Sequence, residues 1–201
     1  MSASADINLI FELGALRYVQ RTWRHFLNAD FANVTEHTFR ITWTALLIAS
    51  KEKGVDIEKL MKMALVHDIT ESRTGDVDYL SRQYTKRNED LAIVDILEKT
   101  SLKEFIEIWR EYEKYDCIEA QIVKDADNLD VEIELREQQA NGVVLKKLWG
   151  ASRRRDIRQH KIYTKTAKKM WDQIEKSDPH AWHFLGRNRH NSGDWKTRQK
   201  K

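Results

Sequence analysis

Apolar residues recur every three to four positions along most of the chain, which is the spacing of the buried face of an α-helix. This pattern predicts helices at about Ile7 to Arg17, Asn33 to Lys53, Ile57 to Thr74, Asn88 to Lys99, Leu102 to Tyr115, Ile118 to Ala140 and Ser152 to Glu175. The chain contains only one proline and seven glycines, so few positions favour breaks in these helices. The sequence therefore predicts an all-α fold.

Polar residues at the predicted helix ends support these boundaries. Asn33 to Glu36 can cap the free amides of the second helix, and Gly54 closes it. Ser101 and Glu104 have the spacing of a capping box, and Asn141-Gly142 closes the longest helix. The stretch RTWRHFLNADFANV, which follows the first helix, is predicted to be irregular.

The size and composition favour one soluble domain in a reducing compartment. A chain of 201 residues can bury a core of its own without disulfides, and its single cysteine, Cys117, cannot form one internally. No apolar run approaches the roughly 20 residues of a membrane-spanning helix, and the N-terminus lacks the pattern of a secretory signal. We expect a cytoplasmic protein with one compact domain over residues 1–178 and a basic, aromatic tail over residues 179–201.

The positive charge is concentrated in the last quarter of the chain. The net charge is +3, but residues 146–201 contain 17 Lys or Arg against 5 Asp or Glu. This surface could attract phosphate-bearing partners, or it could be a solvated helical face followed by a loose tail.

His67 and Asp68 stand inside an otherwise apolar helical segment, MKMALVHDITES. A carboxylate that faces a core is unfavourable unless it is partnered, and a bound cation would be such a partner. A buried His–Asp hydrogen bond, or an Asp68 that faces solvent, would explain the pair equally well.

Two further positions repeat this anomaly on other helices. His37 lies on the apolar stripe of the second helix, and Asp127 lies between Val123 and Val131 at helical spacing. Two imidazoles and two carboxylates form a nitrogen and oxygen ligand set that suits Mn, Fe, Co, Ni or Mg, without the thiolates of structural zinc sites. The combination predicts a single divalent metal on His37, His67, Asp68 and Asp127.

Two more carboxylates follow this centre in the sequence. Glu71 lies one helical turn beyond His67, and Asp76 follows Gly75 where a turn could bring it back over the site. Such groups can move protons during attack by water on a phosphate. The alternatives are an exposed helix charge for Glu71 and a turn residue for Asp76.

The ordered series His37, His67-Asp68 and Asp127 resembles that of the HD-domain phosphohydrolases. More narrowly, NVTEH, ALVHDITESRTGDV and VKDADNLDV are similar to segments of the YfbR-like deoxynucleoside 5'-monophosphatases, a resemblance that covers most of residues 9 to 140. It implies a compact helical bundle with one divalent transition metal, with Mg possible. It also implies that Glu71 and Asp76 are the catalytic carboxylates.

The same resemblance implies three substrate-binding residues. The family has an Arg-Trp pair upstream of its first histidine, which corresponds here to Arg21 and Trp23, separated by Thr22. An arginine suits a phosphate and a tryptophan face can stack on a base, although Trp23 could simply pack in the core. The resemblance also assigns Lys124 to phosphate binding, while the segment after residue 145 lies outside the matching motifs.

The function implied is hydrolysis of (deoxy)nucleoside 5'-monophosphates to nucleoside and phosphate. One alternative is an HD-type deoxynucleoside triphosphate triphosphohydrolase, in which the basic C-terminal region serves a more highly charged substrate. Another is a nucleic-acid-binding or signalling module with a non-catalytic core. We expect a small-molecule nucleotide substrate, no membrane partner and a homodimer or higher homo-oligomer.

Overall fold

The computed structural model describes residues 3–27, 30–144 and 150–184. These residues form α-helices, two short 3-10 helices and, within the described ranges, no strand. One isolated antiparallel bridge pairs Gln20 with Asn33. The predicted all-α fold is confirmed.

The helices follow one another along the chain with short connections. Their bounds are α1 Ala3–Ala15, α2 Trp23–Leu27, α3 Val34–Ala49, α4 Ile57–Val66, α5 Glu71–Thr74, α6 Glu89–Leu97, α7 Phe105–Tyr112, α8 Ile118–Ala140, α9 Gly150–His160, α10 Lys165–Ile174 and α11 Ala181–Phe184. The 3-10 helices are Leu16–Tyr18 and Ser81–Gln83. The short helix α2 lies in the stretch for which the sequence predicts irregular structure.

Helix α8 lies at the centre of the bundle and packs against α3, α4, α7 and α10. Its buried face carries Ala120, Ile122, Val123 and Leu129, all fully buried. The matching faces of α3 and α4 complete the main core through Ile41, Ile48, Leu60 and Met63. Because α3, α4 and α8 share one core, polar residues at the same end of their buried stripes meet inside the bundle.

The start of α3 agrees with the sequence prediction, but its end comes earlier. Asn33 caps the helix by accepting from Glu36 N, and the Glu36 side chain accepts from Asn33 N in return. The helix ends at Ala49 instead of Lys53, because Lys51 and Glu52 donate to carbonyls only three residues back. The connection then closes at Gly54, whose φ is +73°.

The third predicted helix is interrupted at the His67-Asp68 pair. Helix α4 ends at Val66 and α5 begins at Glu71. In the turn between them, Ile69 N donates to Val66 O and Glu71 N to Asp68 O, three residues back in each case. This tighter turn interrupts the α-helix at His67 and Asp68. The apolar spacing along the sequence shows no corresponding break.

The helix predicted from Ser152 to Glu175 consists of two helices, α9 and α10. Thr164 caps α10 by accepting from Ala167 N. The buried Asp125 accepts from Tyr163 N at 2.7 Å and from Thr164 N at 2.8 Å, which holds the break against α8. The sequence prediction missed this break because it depends on a carboxylate almost 40 residues away.

The capping box predicted from Ser101 and Glu104 is wrong. Helix α7 begins at Phe105 without a side-chain cap. Ser101 instead donates its N–H and its hydroxyl to the carboxylate of Asp6 in α1, at 2.7 Å each. The residue is thus used to attach α1 to the bundle.

No helix among the described residues is long and apolar enough to cross a membrane. The cytoplasmic location stays a prediction. Most of the predicted C-terminal tail, residues 185–201, lies outside the described residues.

Candidate active site

Four side chains that the sequence predicts as metal ligands converge at one end of the core. His37 comes from α3, His67 and Asp68 from the turn after α4, and Asp127 from α8. Asp68 Oδ2 lies 3.1 Å from His67 Nε2 and 3.4 Å from His37 Nε2. Asp127 Oδ1 lies 3.5 Å from His37 Nε2.

Both imidazoles are held through their Nδ1 atoms. His37 Nδ1 donates to Asp130 Oδ2 at 2.6 Å, and His67 Nδ1 donates to the carbonyl of Ala64 at 2.8 Å. In the neutral imidazole these bonds fix the tautomer and leave the Nε2 lone pair free. Each ring therefore presents Nε2 toward Asp68.

The donor set fits a divalent cation. Within the described residues, neither His37 Nε2 nor His67 Nε2 has a hydrogen-bond partner, although both atoms are buried. The ligand atoms of His37, His67 and Asp68 lie within 4.8 Å of one another, and Asp127 adjoins them. Both atoms lie within 3.4 Å of Asp68 Oδ2, and two imidazole lone pairs that face one carboxylate oxygen are unfavourable unless a cation lies between them, which points to a cation at this position.

The electrostatics of the centre keep its two carboxylates charged. Burial opposes ionisation of Asp68, but His67 and His37 outweigh it and hold the pKa well below its usual value. Burial likewise opposes ionisation of Asp127, and Lys124 and His37 outweigh it, so its pKa is also lowered well below the usual value. Both groups are thus ionised at neutral pH, the state in which carboxylates bind metals.

Arg21 reaches into the same cluster. Its guanidinium lies 3.5 Å from Asp68 and 3.8 Å from both Asp76 and Asp127. Burial disfavours its charge, but the three carboxylates outweigh burial and raise its pKa above the usual range. Arg21 thus brings a fixed positive charge to the centre.

Glu71 begins helix α5 and is buried beside the centre. Burial, with the nearby charges of Asp68 and Asp76, raises the pKa of Glu71 to about 9. Its Oε1 lies 3.6 Å from Arg87, whereas its buried Oε2 has no hydrogen-bond partner among the described residues. A carboxyl group with a raised pKa and one oxygen without a hydrogen bond can take up or hold a proton.

Asp76 is brought back over the site by a glycine turn. Gly75 closes α5 with φ 69° and ψ 157°, a backbone conformation that is essentially restricted to glycine. Asp76 Oδ2 then accepts from Thr22 N at 2.9 Å and from the Thr22 hydroxyl at 3.3 Å. Thr22, which separates Arg21 from Trp23 in the sequence, therefore anchors a carboxylate.

A cavity of about 310 Å³ lies beside the ligand cluster. Lys124 lies on its wall and donates to Asp127 Oδ2 at 2.7 Å. Trp23 also lines it, and the stacked rings of Phe26 and Tyr79 extend the aromatic side, with ring centres 5.3 Å apart. Eight of the nine sequence-predicted site residues line this cavity, and the ninth, His37, lies against Asp68 and Asp127.

Asp130 and Arg87 are among the residues at the site that the sequence analysis missed. Asp130 orients His37 and pairs with Arg40, and Arg87 lies against Glu71. Asp130 stands three residues after Asp127, which is the spacing of one helix face and the signal that could have identified it. Arg87 lies in the connection between α5 and α6, which contains no α-helix, so no helical periodicity identifies it.

Comparison with known proteins assigns this chain to a family. The HD domain profile matches residues 13–176, past residue 145, where the motif resemblance ends. The 5'-deoxynucleotidase HDDC2 of Danio rerio is 36% identical over 132 residues, which cover 62% of this chain and 65% of that protein. The 5'-deoxynucleotidase YGK1 of Saccharomyces cerevisiae is 29% identical over 163 residues, which cover 75% of this chain and 71% of that protein.

A solved structure agrees with these sequence matches. A conserved hypothetical protein from Pyrococcus furiosus superposes with a TM-score of 0.68 and 28% identity, covering 85% of this chain and 99% of that one. The chain thus spans just under two thirds of the Danio rerio relative and nearly all of the Pyrococcus protein. The family match covers most of the chain, and the chain belongs to the HD domain family.

Proposed function

We propose that this protein is a metal-dependent phosphohydrolase that converts (deoxy)nucleoside 5'-monophosphates to nucleoside and inorganic phosphate. The observation that carries the proposal is the pair of buried Nε2 atoms of His37 and His67, which make no hydrogen bond among the described residues and both lie within 3.4 Å of Asp68 Oδ2. The relatives named 5'-deoxynucleotidases support the choice of substrate.

The proposed metal ligands are His37, His67, Asp68 and Asp127. Nitrogen and carboxylate donors suit Mn, Co, Fe or Ni, with Mg possible. When bound, a divalent cation supplies Lewis-acid polarisation of the phosphoryl group and makes a water molecule more acidic. The two imidazoles are already oriented for this role by Asp130 and by the Ala64 carbonyl.

The protein's own groups account for the charge and proton transfers. Arg21 and Lys124 are proposed to neutralise the phosphate, since both are cationic and line the cavity. The oxygen of water forms a bond to phosphorus as the bond from phosphorus to the 5'-oxygen breaks. Glu71 and Asp76 are proposed to take the proton from that water and to deliver one to the departing oxygen.

The nucleoside end of the substrate is proposed to lie on the aromatic side of the cavity. Trp23 and Tyr79 line it, and Phe26 stacks behind Tyr79. Aromatic faces bind bases by stacking with little dependence on base identity. This arrangement favours recognition of the nucleoside as a whole over one particular base.

A substrate panel tests the proposal. Release of phosphate, pyrophosphate and triphosphate should be measured from deoxy- and ribonucleoside mono- and triphosphates with Mg²⁺, Mn²⁺, Co²⁺ and Fe²⁺. We expect phosphate from monophosphates. Triphosphate release from deoxynucleoside triphosphates would replace the proposal by the triphosphohydrolase alternative, and nucleic-acid binding without any turnover would replace it by the binding-module alternative.

Replacing Asp130 by Asn should weaken metal binding about 10- to 100-fold, because His37 would lose the carboxylate that fixes its tautomer. Isothermal titration with Mn²⁺ or Co²⁺ measures this change. Glu137→Gln is the matched control, since Glu137 shares the partner Arg40 with Asp130 but does not contact His37. Equal losses in the two variants would contradict the assigned role of Asp130.

Metal affinity should rise with pH. Burial and Arg21 oppose protonation of His37, but Asp127, Asp130 and Asp68 outweigh them and raise its pKa well above the usual value. A cation must displace that proton, so binding tightens as pH increases and releases a proton. Titrations in buffers of different ionisation enthalpy would detect the proton, and an affinity that does not change between about pH 6 and pH 8 would contradict the expectation.

We also infer that the protein forms homodimers through α3. Phe39, Trp43 and Leu47 lie four residues apart on one face and are 68%, 58% and 55% exposed. Such an apolar stripe is typical of a protein interface, in which aromatic residues supply much of the binding energy. Sedimentation should give about twice the 23.8 kDa chain mass, and Trp43→Glu should give single chains. A monomeric unmodified protein would contradict the inference.

A further inference from the structure

Arg87 is a nearly buried arginine that contacts both segments carrying the proposed catalytic carboxylates. Its side chain is 12% exposed and lines the cavity. Nη1 donates to the carbonyl of Gly75 at 3.1 Å and lies 3.6 Å from Glu71 Oε1. Nη2 lies 2.7 Å from Glu89 Oε1.

The two carboxyl oxygens of Glu71 have different surroundings. Oε1 faces Arg87, whereas Oε2 is buried and has no hydrogen-bond partner among the described residues. At 3.6 Å this contact is an electrostatic attraction and not a hydrogen bond, and it favours the orientation of the carboxyl group in which Oε1 faces Arg87 and Oε2 faces away. A group that transfers a proton needs a defined orientation, because a displacement of about 1 Å can lower a rate about 10²-fold.

Through its bond to Gly75, Arg87 also restrains the backbone next to Asp76, the second proposed catalytic carboxylate. The Gly75 carbonyl belongs to the planar peptide unit that joins Gly75 to Asp76, so fixing its oxygen fixes the amide from which Asp76 begins. The Asp76 side chain is fixed independently at its far end by Thr22. Arg87 therefore restrains Asp76 through the backbone and Thr22 restrains it through the side chain.

We propose that Arg87 is a positioning residue that fixes Glu71 and Asp76 together, through the Glu71 carboxylate and the Gly75 carbonyl. This inference rests on the proposed catalytic roles of those two carboxylates. Arginine suits the task because its planar guanidinium presents several donors in a rigid fork, which a lysine ammonium does not. Glu89 holds the other arm of the fork.

Direct binding of the substrate phosphate is the competing role for Arg87, and the contacts argue against it. Among the described residues, Arg87 contacts Glu71, the Gly75 carbonyl and Glu89, and none of these is a proposed metal ligand, beside which the phosphate would bind. Arg21 and Lys124 also line the cavity and contact Asp127 in the ligand cluster. We therefore expect Arg87 to affect kcat and to leave KM nearly unchanged.

A double-mutant cycle in the metal-loaded, full-length protein tests the proposal. Arg87→Ala should lower kcat about 10²-fold with KM changed less than about 3-fold, and Arg87→Lys should lower kcat about 10-fold. In a Glu71→Gln background, Arg87→Ala should lower kcat only about 10-fold, because the part of its effect that acts through Glu71 is already lost and only the part through Asp76 remains. Metal content and melting temperature should be measured for every variant.

Arg110→Ala is the matched control, since Arg110 also binds two carboxylates, Asp90 and Glu107, but on α6 and α7 away from the cavity. It should retain full activity. Equal losses from Arg87→Ala in both backgrounds, a rise in KM at constant kcat, or full activity of Arg87→Lys and Arg87→Ala would overturn the positioning role. Full activity of Glu71→Gln alone would instead refute the proposed role of Glu71, and the inference with it.

Discussion

Replacing Asp68 by Ala should abolish metal binding and lower phosphate release by at least about 10³-fold. Asp68 Oδ2 faces the Nε2 atoms of both His37 and His67 and lies beside Arg21. Removing it leaves three nitrogen-bearing side chains without their shared anion. Metal-ion catalysis contributes several kcal/mol to stabilisation of the transition state, and about 1.4 kcal/mol corresponds to a factor of ten in rate.

The measurements for Asp68→Ala are metal content by elemental analysis and phosphate release under saturating metal. Asp90→Ala is a suitable control, because Asp90 is an exposed carboxylate on α6 whose ion pair among the described residues is with Arg110. The variant's melting temperature separates loss of the site from loss of the fold. An Asp68→Ala protein with full metal content and full turnover would show that the ligand assignment is wrong.

Replacing Glu71 by Gln should lower kcat by about 10²- to 10⁴-fold while metal content and KM change little. Gln keeps the size of the side chain and its contact with Arg87, but it cannot exchange a proton. The buried Oε2 atom, which has no partner among the described residues, is where we expect this loss to act.

Glu119→Gln is the matched control for Glu71→Gln. Glu119 is also a buried carboxylate, but it accepts from Asp56 N at the far end of the bundle and does not line the cavity. In steady-state kinetics, the kcat of Glu119→Gln should be close to that of the unmodified protein. If Glu71→Gln lost activity only because it lost metal, Glu71 would be a structural neighbour of the centre and not a proton-transfer group.

The site was largely accessible from the sequence because its residues break an otherwise apolar pattern. His37, His67 and Asp68 interrupt segments whose other inward positions are mostly apolar. A polar group in such a position needs a partner, and three helices repeat the anomaly. The family motifs then added Arg21, Trp23 and Lys124, which periodicity alone would have left as ordinary surface or core residues.

Buried acids alone would not have identified the site. Helix α8 carries several that serve the fold, namely Glu119, Asp125, Glu132 and Glu134, as well as Asp130, which orients His37. Asp125 binds two backbone amides at the start of α10, and Glu132 pairs with Arg154 of α9 at 2.7 Å. Which acid meets a cation, an amide or a histidine depends on the helix packed against it, which a single sequence does not reveal.

The helix boundaries, too, could be predicted only in part from a single sequence. The breaks at His67 and before Thr164 do not disturb the apolar spacing, so each pair of helices reads as one helix. The first break is made by a tighter turn and the second by Asp125, and both are tertiary effects. The Ile118–Ala140 helix, by contrast, was predicted to the residue because strong signals mark its end, where Gly142 adopts φ +90°.

Phosphate release by metal-stripped protein is the most direct test of the central claim. The full-length protein should be freed of metal with a chelator, then titrated with Mn²⁺ or Co²⁺ in the presence of a deoxynucleoside 5'-monophosphate. We predict no turnover without metal and a rise in phosphate release that levels off near one metal per chain. Full activity in the metal-free protein, or no activity at any metal content, would contradict the account.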